Sequence, residues 1–368
     1  MNVLFVNATR TWGGVKTWMV ELASFLGRRG HGVTVACRPG NLLQAACVDR
    51  GLACDVLRFG SDYSPVTIAR FVRLMRRRRA DVIVTNVSKD IRTAGVAARL
   101  CGVAHVNRLG GFSDIDDRVR TRLVYNALVD RVIVPSHGLL EHYARFPFLR
   151  GKLRRFPNAV VPQTRPERRP GPVRIAVLAR LSRRKRVDLV LRACSSLREL
   201  PWELHVGGSG PELVSLVRLA SDLAIADRVS FACEGAEEFT KVDGPSFLRD
   251  KDIGILVSDS EPFAWAILEY MASSCAVIAS AVDGPLELIR DGVNGLLVAP
   301  GSHDALAAAV RSLIEHPERR ESLAKHGYET VCREYHQDLV FPLVEADLLD
   351  VVSAHRRRHT RGAARSAS

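Results

Sequence analysis

The sequence predicts an α/β chain made of two Rossmann-like domains, each a parallel sheet covered by helices. Short apolar runs alternate with amphipathic stretches of helical period in two successive series, the pattern of parallel sheets buried on both faces. A stretch rich in proline and charge, residues 162–172, separates the two series and can continue neither a helix nor a central strand. The 368 residues, 47% hydrophobic and 25% charged, exceed what one such domain needs. The boundaries that follow are 1–165 for the first domain and 171–335 for the second. A helix over 336–352 is expected to pack back onto the first domain, and 353–368 to form a basic, disordered tail.

The first series opens with the apolar strand Val3 to Asn7, the turn Thr11-Trp12-Gly13-Gly14 and an amphipathic helix from about Lys16 to Arg29. Gly30-His31-Gly32 breaks that helix before the next run, Val33 to Ala36. Further strands are expected at Asp81 to Thr85, Ala104 to Asn107 and Arg131 to Pro135. The second series places strands at Val173 to Leu178, Glu203 to Gly207, Val229 to Ala232, Ile253 to Val257, Ala276 to Ala279 and Gly295 to Val298. Helices fall between them, at about Asp188 to Leu197, Glu212 to Ala224, Phe263 to Ser273 and His303 to Glu315. Beyond Val352 the chain carries Arg356, Arg357 and Arg358 without apolar periodicity, hence the disordered tail.

The net charge of +13 is unevenly spread. Residues 1–170 hold 29 Lys and Arg against 12 Asp and Glu, whereas residues 171–352 hold 19 against 28. A basic half suits a partner with rows of negative groups, whether nucleic acid, anionic lipid or anionic saccharide. No helix-turn-helix, RNA-recognition or zinc motif accompanies the charge, so a nucleic-acid partner is set aside. Arg70, Arg73, Arg76, Arg77, Arg78 and Arg79 interleave with Ile68, Phe71, Val72 and Met75, as in a helix with one buried and one cationic face. Such a face suits an anionic membrane surface.

Eight cysteines are scattered without a C-x-x-C pair, which argues against a structural zinc or a redox motif. The opening residues lack a signal-peptide pattern and no apolar run approaches spanning length, so the expected place is cytoplasmic, or peripheral on the inner face of the membrane. Asp114-Ile115-Asp116-Asp117 resembles a D-x-D metal motif but reads as a helix-start cluster, because acids favour a first turn. No metal site is expected.

Ligands of open parallel sheets bind beyond the carboxyl ends of the strands, and two such domains create a cleft there. Four loops in that position carry suitable residues. Gly13 and Gly14 let backbone N–H groups approach an anion at a helix start, or simply form a tight turn. The segment Ala179-Arg180-Leu181-Ser182-Arg183-Arg184-Lys185-Arg186 puts cations into an otherwise acidic half; Arg180 and Lys185 are candidates for stabilising charge on a departing diphosphate, against the alternative of a solvated charge run. Gly207-Gly208-Ser209-Gly210 resembles a phosphate-binding turn, but Leu213 stands where a dinucleotide fingerprint needs glycine. The fourth segment, from Ser258 to Glu269, holds two carboxylates with seven residues between them, Glu261 and Glu269, with Pro262 suited to a first helical position. Glu261 could hold sugar hydroxyls and Glu269 a ribose diol.

Taken together, these segments resemble the retaining glycosyltransferase family four, whose members have the GT-B fold. The resemblance rests on E-x7-E within EPFAWAILEYMASSCAVIAS, on ARLSRRKRVDLVL, on GGSGPE at 207–212 and on DGPLELIRDGVNGLLV at 283–298. It implies a retaining, metal-independent transfer of a hexose-type sugar from a nucleotide diphosphate donor, a UDP-sugar ahead of a GDP-sugar, to a lipid-linked or cell-surface glycan such as lipopolysaccharide. The first domain would take the acceptor and the second the nucleotide sugar, with no further cofactor. Glu261, Arg180 and Lys185 are then the catalytic candidates, and Gly13, Gly14, Gly208, Gly235, Ala264, Trp265 and Glu269 the donor contacts. The base would stack near Val229 to Gly235.

The chain departs from the family where Ala264 and Ala179 replace glycines, and where Pro157-Asn158-Ala159 replaces Pro-Asn-Gly. The family's acceptor-side histidine maps to His105 or Arg108 in His105-Val106-Asn107-Arg108-Leu109-Gly110-Gly111, a form similar to members that build surface glycans. Two alternatives stay open at this point, a sugar-nucleotide epimerase and a catalytically silent sugar-nucleotide-binding homologue.

Overall fold

The computed structural model describes residues 1–10, 12–164, 171–232 and 242–366, with side chains to 358. Two compact units divide the chain: Met1–Pro157 together with Val340–Ser368, and Asn158–Leu339.

The first unit holds seven parallel strands, β1 (Asn2–Asn7), β2 (Gly32–Cys37), β3 (Ala53–Val56), β4 (Val82–Thr85), β5 (Ala104–Arg108), β6 (Arg131–Val134) and β7 (Leu153–Arg155), in the order β3-β2-β1-β4-β5-β6-β7. β3 and β7 were not expected. Both are edge strands of three or four residues, and ACDV and LRR carry no continuous apolar run to mark them. The central strands β1, β4 and β5 are buried almost throughout, and Leu4, Val6 and Ile83 pack with Phe71 and Met75 of the helix Pro65–Arg78.

The second unit holds six parallel strands, β8 (Val173–Leu178), β9 (Trp202–Gly207), β10 (Val229–Ala232), β11 (Ile253–Leu256), β12 (Ala276–Ser280) and β13 (Leu296–Val298), in the order β10-β9-β8-β11-β12-β13. All six lie where the apolar runs placed them. In both units the strand order reverses beside the first strand, between β1 and β4 and between β8 and β11.

The reversal in the second unit has a particular construction. β8 and β11 pair only at Ile175 and Ala176, opposite Ile253 and Gly254, and then part. Tyr270 fills the gap: its hydroxyl accepts from Leu178 N at 2.7 Å and donates to Ile255 O at 3.2 Å. Gly254 makes this packing feasible, since a Cβ there would stand 2.2 Å from the Tyr270 ring. The tyrosine thus satisfies backbone groups that the sheet leaves open.

The last helix, Gln337–Ser366, runs through the segment expected as a disordered tail. Apolar periodicity does fade there, but charge takes over the docking. His31 and Arg29 meet Glu345, Arg131 meets Asp347 and Asp350, and the buried His355 bonds Asp130 at 3.0 Å. Arg358 also reaches Asp130, and Arg356 reaches Asp81. Composition alone cannot reveal such pairing, because the partners lie more than two hundred residues earlier in the chain.

Candidate active site

In the second unit, the loop after β8 and the loop after β11 leave adjacent strand ends. Lys185 lies in the first loop, in the short 3-10 turn Arg183–Lys185, and Glu261 in the second. Lys185 Nζ donates to Glu261 Oε2, and Ser258 Oγ donates to the same oxygen at 3.3 Å. Both members of the pair are largely buried, with side chains 14% and 10% exposed. The loops are also laced together by their backbones: Asp259 N donates to Arg184 O at 2.9 Å, and Arg184 Nη1 to Ser260 O at 3.0 Å. Arg186 adds an ion pair with Asp259.

Arg180 sits one residue beyond Ala179 in the first loop and is exposed. The glycine turn at 207–210 props this loop from behind. Ala179 N donates to Gly207 O and Leu181 N to Ser209 O, at 3.0 and 2.9 Å. Gly208 has φ +132°, and a Cβ on it would stand 2.0 Å from Ala179 O. Glycine is therefore required here by close backbone approach and by conformation.

The helix carrying the second glutamate spans Trp265–Ala272. It begins three residues after Pro262, so that proline is not the first helical residue. Gly284 accounts for the delay: its N–H donates to Glu261 O at 2.8 Å and its backbone abuts Phe263 and Ala264, which ties 261–264 down in a non-helical path. Ala264 is buried at the helix N-cap, and Trp265 is half-buried beside it. Glu269 lies one turn in, with Oε1 2.7 Å from where a Cβ on Gly244 would stand. Gly235, the remaining candidate of this unit, lies outside the described residues.

In the first unit, Gly13 and Gly14 are exposed at the start of the helix Gly14–Arg28, which has no side-chain cap. His105 is buried in β5. Its Nδ1 donates to Leu128 O, so Nε2 is left to accept from Thr85 Oγ1 at 2.8 Å. Burial holds its pKa down to about 4, and the ring is neutral. Arg108 ends the same strand, also buried, with its guanidinium 4.4 Å from the centre of the Trp18 ring. Burial lowers its pKa to about 9, while Asp114 pulls it back up. The structure thus brings Lys185 and Glu261 together, sets Gly208 behind their loop, and leaves His105 with both ring nitrogens engaged by protein.

Asp114 accepts from Gly110 N and Gly111 N, at 2.6 and 2.8 Å, and Asp117 pairs with Arg122 of the helix Val119–Leu128. These acids serve the turn and the helix start. Among the described residues, no three His, Cys, Asp or Glu side chains are placed to hold a metal ion.

Sequence reasoning missed a polar cluster beside the first glycine turn, the buried Lys16, Asn41 and Asp90 with the half-buried Arg38. A signal for it existed, since Lys16 falls on the same helical stripe as Met19, Val20 and Ala23, where a cation is out of place.

The model described as Glycosyltransferase Family 4 matches residues 12–164, and the model described as Glycosyl transferases group 1 matches residues 163–330. The chain belongs to glycosyltransferase family four. This family four chain is similar in sequence to the lipopolysaccharide core biosynthesis glycosyltransferase LpsE of Rhizobium meliloti (strain 1021), 25% identical over 339 residues, covering 89% of this chain and 93% of that one. A more local likeness, 34% over 143 residues, joins 38% of this chain to 30% of the D-inositol 3-phosphate glycosyltransferase of Mycobacterium ulcerans (strain Agy99). Among solved structures, Anabaena HepE in complex with UDP and glucose superimposes with a TM-score of 0.82 at 17% identity, over 95% of this chain and 99% of that one. That likeness shows the fold, which is GT-B.

Proposed function

We propose that this family four enzyme transfers a hexose-type sugar from a nucleotide diphosphate donor, with retained anomeric configuration, to a lipid-linked or cell-surface glycan. The carrying observation is the buried Lys185–Glu261 pair at the strand reversal of the second unit, with Arg180 exposed in the same loop. A cation and a carboxylate held there suit the two ends of a sugar nucleotide. Lys185 and Arg180 stabilise charge developing on the diphosphate, while Glu261 takes sugar hydroxyls and Glu269 the ribose. Gly13, Gly14, Gly208, Gly235, Ala264 and Trp265 complete the donor contacts. On the acceptor side Arg108 is favoured over His105, whose ring nitrogens are both engaged.

UDP is favoured as the nucleotide because the HepE structures were solved with UDP and with UDP-glucose. The lipopolysaccharide role of LpsE supports a surface-glycan acceptor. No metal is required in this reading, and the donor diphosphate itself takes the acceptor proton. Thermal-shift screening against UDP, GDP, ADP and their sugars tests it: a ligand at a hundred times its dissociation constant adds about 2.7 kcal/mol of stability. Stabilisation by none of them overturns it. The anomeric signal of the product, read by NMR, decides retention.

The helix Pro65–Arg78 buries Phe71, Leu74 and Met75 and exposes Arg70, Arg73, Arg76 and Arg77, although Asp55 pairs with Arg77 and Arg78. Among the described residues, no helix is long and apolar enough to cross a membrane. This cationic face supports peripheral contact with anionic lipid at the inner side of the membrane. Sedimentation with anionic vesicles at low salt, lost at high salt, is the expected signature.

A further inference from the structure

We propose that Lys16 is a positioning residue for glycosyl transfer: its buried ammonium, braced by Asn41, fixes the backbone of residues 8–10 so that the glycine turn beyond them meets its ligand preformed. The proposal rests on the reading of Gly13 and Gly14 as donor contacts.

Lys16 is 1% exposed, on the inward stripe of the helix Gly14–Arg28. An ammonium taken out of water costs several kcal/mol unless acceptors replace the solvent. Three acceptors do so: Thr9 O at 3.0 Å, Arg10 O at 3.4 Å and Asn41 Oδ1 at 2.9 Å. Asn41 is itself fixed, because its Oδ1 caps Leu43 N and its Nδ2 donates to Thr9 O at 2.6 Å. Other backbone groups of the same segment are tied just as firmly. Ala8 N donates to Asp90 Oδ1 at 3.0 Å, Ala8 O accepts from Arg38 Nε, and Thr9 N donates to Asn7 Oδ1 at 3.0 Å.

A trans peptide points its N–H opposite to its C=O. Turning Thr9 O inward to Lys16 and Asn41 therefore turns the Arg10 N–H away from them. Arg10 is exposed, as are Gly13 and Gly14 at the helix start. Residues 8–10, so constrained, have little conformational freedom to lose when a ligand binds beside them, which is how such a device raises a rate.

The groups facing Lys16 are Cys37 at the end of β2 and Asp90 beyond β4, with Arg38 facing Asp90 in turn. Burial lowers the lysine pKa to about 8, while Cys37 and Asp90 pull it back up. The ammonium is therefore lost near pH 8, and turnover should fall there. Because the folded pKa lies below the unfolded value of 10.5, this group makes the fold more stable, not less, as pH rises from 8 to 10.5. A decline in turnover through that range is thus separable from unfolding.

The test combines amide hydrogen exchange with kinetics on the full chain. Lys16→Met is expected to speed exchange at Ala8 and Thr9 at least tenfold, with β8 unchanged. It should also lower kcat at least tenfold at saturating UDP-sugar and abolish the alkaline limb near pH 8. Should Lys16→Met not fold, Asn41→Ala retains the charge, removes one brace and is expected to show the same changes in smaller measure. Unchanged exchange at residues 8 and 9 overturns the bracing. Faster exchange with unchanged kcat overturns the link to catalysis. A wild-type chain inert toward every sugar nucleotide overturns the functional reading instead, and the exchange data still decide the bracing.

Discussion

Lys185 and Glu261 stand 76 residues apart and share a hydrogen bond, Nζ to Oε2, in a largely buried setting. The strand order makes them neighbours: β8 and β11 lie side by side, so the loops that leave them meet. Lys185→Ala is predicted to lower kcat by about 10² to 10³, the magnitude typical of removing one charge-stabilising donor. Arg180→Ala should match it with an unchanged melting temperature, since Arg180 is exposed. Steady-state kinetics beside thermal melts check both, and wild-type turnover in both variants would remove these cations from the chemistry.

Gly208→Ala is expected to damage stability and activity together. The new methyl would stand 2.0 Å from Ala179 O at a φ of +132°, so the loop bearing Arg180 and Lys185 has to move. Strain of this kind costs about 1–3 kcal/mol before the clash is counted. Urea unfolding measures the loss, and an unchanged midpoint would refute the close approach.

Tyr270→Phe removes one hydroxyl, itself on a fully buried side chain, and takes its hydrogen bonds away from Leu178 N and Ile255 O. The predicted cost is about 1–3 kcal/mol, the range for a buried polar group stripped of its partner. Denaturant titration should show a lower midpoint at a constant slope.

The docking of the last helix makes an acid-side prediction. Burial pushes the Glu345 pKa up, but the His31 hydrogen bond and the Arg29 charge outweigh it, and the net shift is downward from 4.5. A carboxyl depressed in the folded state stabilises the fold above its unfolded pKa, and that stability is lost as pH falls through the folded value. Glu345→Gln should therefore flatten the dependence of melting temperature on pH below about 4.5, with little change in slope at neutral pH. A wild-type slope in the variant would contradict the pairing.

The central strands were legible because parallel strands buried on both faces are written as near-continuous apolar runs, as in Ile175 to Leu178 and Ala276 to Ala279. Edge strands such as Leu153–Arg155 are not written that way and were missed. The cation loop and the paired glutamates could be found from spacing, since each occupies one continuous segment. The start of the helix Trp265–Ala272 could not, because Gly284, twenty residues on, decides it. Likewise nothing local tells Gly208 as a ligand contact from Gly208 as the backing of another loop. The buried Lys16 network was visible only as a misplaced charge on an apolar stripe, a signal that gains meaning once Thr9, Arg10 and Asn41 are seen around it.

One unit is interrupted: residues 1–157 are completed by 340–368, with the whole of 158–339 interposed. During synthesis on the ribosome the early portion must wait, its Asp81, Asp130 and Arg131 lacking the ion-pair partners of the late helix, until the intervening domain has been translated and that helix emerges. The interposed unit, contiguous in sequence, is free to mature first. Premature termination near residue 340 would thus yield a chain whose later-made half is intact and whose first-made half is the one left unfinished.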